Sequence, residues 1–209
     1  MSLIDYTYFV RDINVPVLAT DSSDNNYTKL NDSISRYEND VLKSLLGYAL
    51  WKEFTDAVTA ATEESPLAQK WVDLRDGKEL SFEVFGQSVS TKWNGLKNTD
   101  KVSLLAYYVY YQHRLYGQTS YTGLGETKAK GENSVVADGS FKIVSAWNHL
   151  VNLYGEIPFP IVKYKSQFND IDNYIHYNDA PSAYNFLLAN KATYTNWIFT
   201  PLSKKHNYF

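Results

Sequence analysis

The strongest pattern in the chain is a helical spacing of apolar residues between Tyr27 and Gly47. Apolar residues that recur every three or four positions place one buried face on an amphipathic helix. Gly47 either breaks this helix or is a close-packing point inside a longer one, because the apolar period continues beyond it. We expect helix to about Ala61. The periodic residues are Leu30, Ile34, Tyr37, Val41, Leu42, Leu45 and Leu46, then Ala49, Leu50, Phe54 and Val58.

Four later segments also predict helices. Ser65-Pro66 is a cap and first-turn pair before the short segment LAQKWVDLR, and Asn98-Thr99-Asp100 is the predicted cap of KVSLLAYYVYYQHRLYG. The second of these is apolar on nearly all sides, which predicts a central buried helix. FKIVSAWNHLVNLYG, after Ser140, has one apolar side and stops at Gly155, and a last helix begins at Ala180-Pro181-Ser182.

Two segments follow other patterns. The residues from about 79 to 92 alternate between apolar and polar types around Gly86-Gln87, and this alternation predicts a β-hairpin. Residues 1–25 alternate loosely, which indicates an extended N-terminal arm or an edge strand, and Pro16 argues against a central strand. The predicted fold is therefore mainly α: a helical bundle with a small β-hairpin, an extended N-terminal arm and a long polar loop. The arm is residues 1–25, and residues 26–209 form a single helical domain.

The long polar loop covers about residues 118–139 and contains four glycines with almost no large apolar residue. Its glycine spacing fits neither a Walker A loop nor a dinucleotide-binding fingerprint. The plain interpretation is a mobile surface loop, and the functional one, which we favour, is a loop that orders against a partner protein. The candidate subunit or partner interface combines this loop with the arm: Tyr6, Tyr8, Phe9, Gly123, Gly125, Glu126, Lys128, Lys130 and Glu132.

Composition narrows the function classes. The 209 residues include no cysteine, which excludes disulfides and thiolate chemistry, and a net charge of -3 lacks the basic excess of a nucleic-acid-binding protein. No secretory signal or apolar run of membrane-spanning length is present in the sequence, so we expect a soluble protein made in the cytoplasm. Aromatic residues reach 16%, with 18 Tyr, and such a surplus is typical of interfaces as well as cores.

No catalytic or metal-binding pattern emerges from the sequence. His113, His149, His176 and His206 do not stand at helical i, i+3 or i+4 spacing, and no serine lies in a G-x-S-x-G turn. We therefore predict no catalytic residue, no cofactor and no metal. The tyrosine cluster suits either a tyrosine-rich core or a subunit interface, and the sequence does not decide between them. Its members are Tyr107, Tyr108, Tyr110, Tyr111, Tyr116 and Tyr121.

The segment RYENDVLKSLLGYALWKEF, from Arg36 to Phe54, resembles the head-to-tail connector (neck ring) proteins of tailed bacteriophages, in particular those of crAss-like and other Bacteroidetes-infecting phages. The resemblance rests on the pair Tyr37-Glu38, the leucines up to Leu46, and Gly47 followed by Leu50. The Tyr-rich segment from Leu104 to Tyr116 and the polar loop from Thr122 to Ser134 are also similar to that family. The resemblance implies a helical bundle whose copies form a ring, often twelvefold, between portal and tail, and it implies no catalytic residues.

From these observations we expect a virion structural protein, made in the host cytoplasm, that assembles as a homo-oligomeric ring. Its expected partners are the portal protein and tail or other neck proteins. We expect no interaction with a membrane. DNA would pass through a mildly acidic ring without specific binding. One alternative is a carbohydrate-binding or other aromatic-rich binding module with exposed Trp93 or Trp197. The other is an enzyme whose site assembles from distant His, Asp and Glu residues.

Overall fold

The computed structural model describes residues 2–17, 19–84, 87–117, 120–122, 125–127, 140–155 and 181–205, with backbone alone for the strand residues among 82–89 and 120–127. The described chain is mainly helical with a small antiparallel hairpin, which confirms the predicted fold class. The helices are α1 (Asn25–Leu46), α2 (Tyr48–Ala60), α3 (Gln69–Asp76), α4 (Leu104–Tyr116), α5 (Ser140–Tyr154) and α6 (Ala183–Ala189). The strands are β1 (Lys78–Val84), β2 (Gln87–Trp93), β3 (Ser120–Thr122) and β4 (Gly125–Thr127).

Gly47 is a joint between two helices. Asp24 caps the start of α1 by accepting hydrogen bonds from the N–H groups of Asn26 and Tyr27, and α1 then runs to Leu46. Gly47 has φ +76° and ψ 158°, a conformation that is essentially restricted to glycine. A Cβ at this position would lie 2.9 Å from the Cβ of Ile198. The apolar period therefore continues through α1 and α2, but the helix itself is interrupted at Gly47.

Helix α4 is the centre of the fold, as its apolar sequence predicts, and it packs against both α1 and α5. Its cap, however, is Ser103 rather than Asn98-Thr99-Asp100. The Ser103 hydroxyl accepts from the Leu105 N–H and donates to the Leu96 carbonyl at 2.7 Å. Asn98 instead holds the preceding turn, donating from its side chain to the Val102 carbonyl.

The predicted hairpin is confirmed as β1 and β2, which pair antiparallel from Lys78↔Trp93 to Val84↔Gln87. Its base is fixed by the buried Trp93, whose ring stacks on Phe186 with the centroids 5.2 Å apart. Gly77 at the entry to β1 has φ +107°, and a Cβ there would lie 2.3 Å from the Trp93 carbonyl oxygen. The chain therefore enters and leaves the hairpin in a backbone contact that only glycine permits.

The N-terminal segment differs from the prediction of an extended arm. Two short 3-10 turns, Tyr6–Tyr8 and Arg11–Ile13, fold it against the helices. The prediction is wrong for residues 2–17 because their apolar side chains have a place in the core, and burial of those side chains outweighs the freedom of an arm. The buried members are Leu3, Ile4, Tyr8, Phe9 and Ile13.

The C-terminal tail caps α1 from a distance. The backbone N–H groups of Ile198 and Thr200 donate to the carbonyls of Leu46 and Ser44, and the Trp197 indole N–H donates to Leu45. The last carbonyls of a helix lack partners within the helix, so the tail satisfies three of them. Residues 197–200 have no regular secondary structure, and they tie the segment that follows α6 to the α1–α2 joint.

Candidate interaction surface

The sequence-predicted interface residues of the N-terminus lie mostly inside the molecule. Tyr8 and Phe9 are buried in this chain's own core, and burial raises the pKa of the Tyr8 hydroxyl, with Asp5 and Asp76 adding to the effect. Tyr6 is half-buried and meets Tyr27 edge-on, with ring centroids 5.6 Å apart. In this fold Tyr8 and Phe9 do not offer contact surface to another molecule, and their assignment to an interface is corrected.

The residues predicted in the long loop are only partly described. Gly125 and Glu126 belong to β4, which pairs antiparallel with β3 through Tyr121↔Glu126 and Thr122↔Gly125. Gly123, Lys128, Lys130 and Glu132 lie outside the described residues. The role of this loop at an interface stays a prediction.

The tyrosines of α4 divide between the core and the surface of the molecule. Tyr107, Tyr110 and Tyr111 are buried, whereas Tyr116 at the end of the helix is 68% exposed. Tyr108 is half-buried beside Trp147, and the side chain of Tyr121 lies outside the described part. Most of the described members therefore build the core, and Tyr116 is the one that offers surface.

An exposed apolar surface lies instead around the α1–α2 joint. Tyr48 and Ile198 are each 67% exposed, and Ile198 lies directly against Gly47. Tyr48 contacts the half-buried Trp51 with ring centroids 5.6 Å apart, and the Lys43 ammonium lies 4.4 Å from the Trp51 ring centroid. We call these four residues, Lys43, Tyr48, Trp51 and Ile198, the joint patch.

The joint patch has the composition of a protein contact site. Single exposed apolar residues are common, but neighbouring exposed aromatic and aliphatic side chains mark interaction surfaces. Trp and Tyr are enriched among residues that contribute most to binding energy. The Trp51 indole N–H is also buried without a hydrogen-bond acceptor among the described residues. Sequence reasoning missed the patch because no local signal places Ile198 beside Gly47, 151 positions earlier.

The tryptophans proposed for a carbohydrate platform are not exposed. Trp93 is buried, and its indole N–H points to the Leu74 carbonyl at 3.4 Å. Trp197 is half-buried against Tyr184 and Phe199, and its N–H is engaged by Leu45 at 2.8 Å. Trp93 therefore has no free face for stacking on a sugar, and the Trp197 ring is partly covered by its neighbours.

Of the two described histidines, His113 is half-buried in the helical packing and His149 is exposed. The His113 Nδ1 lies 3.0 Å from the Ser33 hydroxyl, and burial lowers the pKa of this imidazole, with Arg114 and Lys29 adding to the effect. The His149 ring stacks on Tyr107 with the centroids 4.4 Å apart. Across the described ranges, no group of three His, Asp or Glu side chains is arranged to hold a metal ion.

None of the described helices combines the length and apolar character needed to cross a membrane. In the comparisons with known proteins, no family model matches this chain, and no curated protein or solved structure is significantly similar to it.

Proposed function

We propose that this chain is a structural subunit of a head-to-tail connector, the neck ring that joins the portal to the tail of a tailed bacteriophage. The proposal takes its class from the sequence resemblance of Arg36–Phe54 to that family. The observation that carries it is the joint patch, which lies at the Gly47 break within that same segment. A ring subunit needs a permanently exposed contact surface on a firm body, and the patch supplies one.

The backbone on both sides of the patch is held by hydrogen bonds or by helix. Ile198 is held by its own N–H, which donates to the Leu46 carbonyl at 3.2 Å, and Tyr48 is the first residue of α2. Because the backbone on both sides is fixed before any partner arrives, little conformational entropy is lost when these side chains are covered. Such preorganisation supports a role in assembly.

The ring model also defines the geometry of the contact. In a ring, each copy uses two different surfaces, one for each neighbour, and the repeat closes when the rotation between copies divides a full turn. We assign the joint patch to one of these two surfaces. The partners of the assembled ring are further copies of this chain, the portal protein and tail or other neck proteins.

The proposal is tested by mixing the full-length protein with a candidate portal protein and separating assemblies on a density gradient. Co-sedimentation, with a ring visible on the portal by electron microscopy, is the expected result. The double variant Tyr48→Ser, Ile198→Ser should lose co-sedimentation. Leu188→Ser is the matched control, because Leu188 is 48% exposed but lies on α6. Absence of any wild-type complex with portal or tail proteins would contradict the proposal.

A further inference from the structure

The end of the described chain lies on α5 as a bound peptide. The Trp147 indole N–H donates to the Ser203 carbonyl at 2.8 Å. The Asn148 side chain accepts from the Lys205 N–H at 2.8 Å and donates to the Lys205 carbonyl at 2.9 Å. An Asn amide that pairs with both backbone groups of one residue recognises a main chain irrespective of its sequence.

The side chain of Lys205 is recognised by a second set of contacts. Its ammonium lies 4.4 Å from the ring centroid of Tyr111 and 4.5 Å from that of Trp147, and it donates a hydrogen bond to the Tyr111 hydroxyl. A cation over aromatic faces is attracted by the negative charge of the ring surfaces. The two rings therefore add a charge requirement to a contact that is otherwise made to backbone.

The rings belong to two helices that pack on each other. Tyr111 and Trp147 are both buried, and their centroids are 4.5 Å apart. Tyr111 belongs to the central helix α4, and Trp147 and Asn148 are consecutive on α5. The recognising groups thus come from two helices in direct contact.

A shallow, open depression on the surface of α5 continues from this site. It shares Asn148 with the main-chain contact and is lined by Phe141, Val144, Ser145, Asn148, His149 and Asn152. A segment longer than Ser203–Lys205 therefore has further surface of α5 to contact next to the lysine position.

We propose that Tyr111, Trp147 and Asn148 form a binding site for an extended, lysine-bearing peptide segment, and that Lys205 occupies it as an intramolecular ligand. A lysine-bearing segment of a partner protein displaces residues 203–205 and frees them. A tethered ligand competes at an effective concentration of about millimolar, so only a segment with added contacts or a high local concentration succeeds. The inference does not depend on the ring assembly, since it concerns a different face of the chain.

The test is an NMR titration of the full-length protein, read at the Trp147 indole N–H resonance. The probes are the blocked peptide Leu-Ser-Lys-Lys, whose sequence is that of residues 202–205, and its counterpart with norleucine in the last position. The proteins are the wild type, Lys205→Ala and the control Lys204→Ala. Lys204 is exposed and has no ion pair or ring contact among the described residues.

Lys205→Ala should bind the lysine peptide about fivefold more tightly than wild type, because the internal competitor has lost its cation–π contact. Lys204→Ala should match wild type, and the norleucine peptide should bind Lys205→Ala about fivefold more weakly than the lysine peptide. Equal affinity of Lys205→Ala and wild type would overturn the internal-ligand role. Equal affinity of the two peptides, or no shift of the Trp147 resonance in a folded Lys205→Ala, would overturn the site itself.

Discussion

The carboxylate of Glu38 accepts a hydrogen bond from the backbone N–H of Leu3 at 2.8 Å, across 35 residues of sequence. Glu38 is 3% exposed, and it also accepts from the Ile4 N–H at 3.4 Å and from the Ser2 hydroxyl. Burial raises the pKa of this carboxyl, while the three hydrogen bonds oppose that rise. One buried acid on α1 therefore anchors the start of the N-terminal segment.

Glu38→Ala should lower the free energy of unfolding by about 1–3 kcal/mol, because the Leu3 and Ile4 N–H groups lose their acceptor. Urea denaturation measures the change, and hydrogen exchange should show faster exchange at the amides of Leu3 and Ile4. Asp32→Ala, at an exposed position of the same helix, is the control and should stay within about 0.5 kcal/mol of wild type. Equal effects of both variants would remove the anchoring role of Glu38.

Gly47→Ala should destabilise the protein by about 2 kcal/mol or more. Alanine rarely adopts φ +76°, and its Cβ would collide with Ile198 at 2.9 Å and with the Ile198 carbonyl at 3.0 Å. Thermal unfolding checks the magnitude. The comparison variant is Ala49→Gly, which costs only about 1 kcal/mol of helix propensity. A Gly47→Ala protein as stable as wild type would mean that the joint is not strained.

Tyr107→Phe should cost about 1–3 kcal/mol of folding free energy. The Tyr107 hydroxyl donates to both oxygens of the Asp12 carboxylate, at 3.0 and 2.9 Å, and so links α4 to the N-terminal segment. Burial and the Asp12 contact raise the pKa of this hydroxyl well above its usual range. Urea denaturation at neutral pH measures the loss.

The matched control for Tyr107→Phe is Tyr110→Phe on the same helix. Tyr110 is also buried, but it has no hydrogen bond to the residues that the structure describes. Loss of its hydroxyl should change stability by less than about 0.5 kcal/mol. If the two variants lose equal stability, the hydrogen bond between Tyr107 and Asp12 does not stabilise the fold.

His113 should make stability depend on pH. Burial lowers the pKa of His113 in the folded protein, so the unfolded chain takes up the proton first, near about pH 6.5. The contribution of the neutral imidazole is complete above that pH and is lost as the pH falls through it toward the folded pKa. Urea denaturation between about pH 8 and 5 should show a steeper loss for wild type than for His113→Gln. Parallel pH profiles of the two proteins would contradict this assignment.

The sequence predicted most of the helical framework because the relevant signals are local. The period from Leu30 to Leu46, the apolar faces of α4 and α5, and the Ser182 cap of α6 each lie within a few turns of chain. The hairpin followed from alternation alone. The predicted cap of α4, Asn98-Thr99-Asp100, was wrong. Ser103 caps the helix instead and donates to the Leu96 carbonyl, which the sequence does not position.

The candidate surface was harder to predict because it depends on distant contacts. The prediction of an extended arm was wrong because Leu3, Ile4 and Phe9 are buried in the core and the Leu3 N–H donates to Glu38. Likewise, Ile198 enters the joint patch through a hydrogen bond to Leu46, and Lys205 reaches Trp147 from 58 positions away. Neither contact can be predicted from the spacing of neighbouring residues, because its two partners lie far apart in the sequence.

The most direct test of the connector proposal is the mass of the full-length protein in solution, by light scattering after size exclusion, alone and mixed with a candidate portal protein. The account predicts a ring-sized species in at least one condition. This species should be lost in the double variant Tyr48→Ser, Ile198→Ser and kept in Leu188→Ser. A particle with the mass of one chain under both conditions would contradict it.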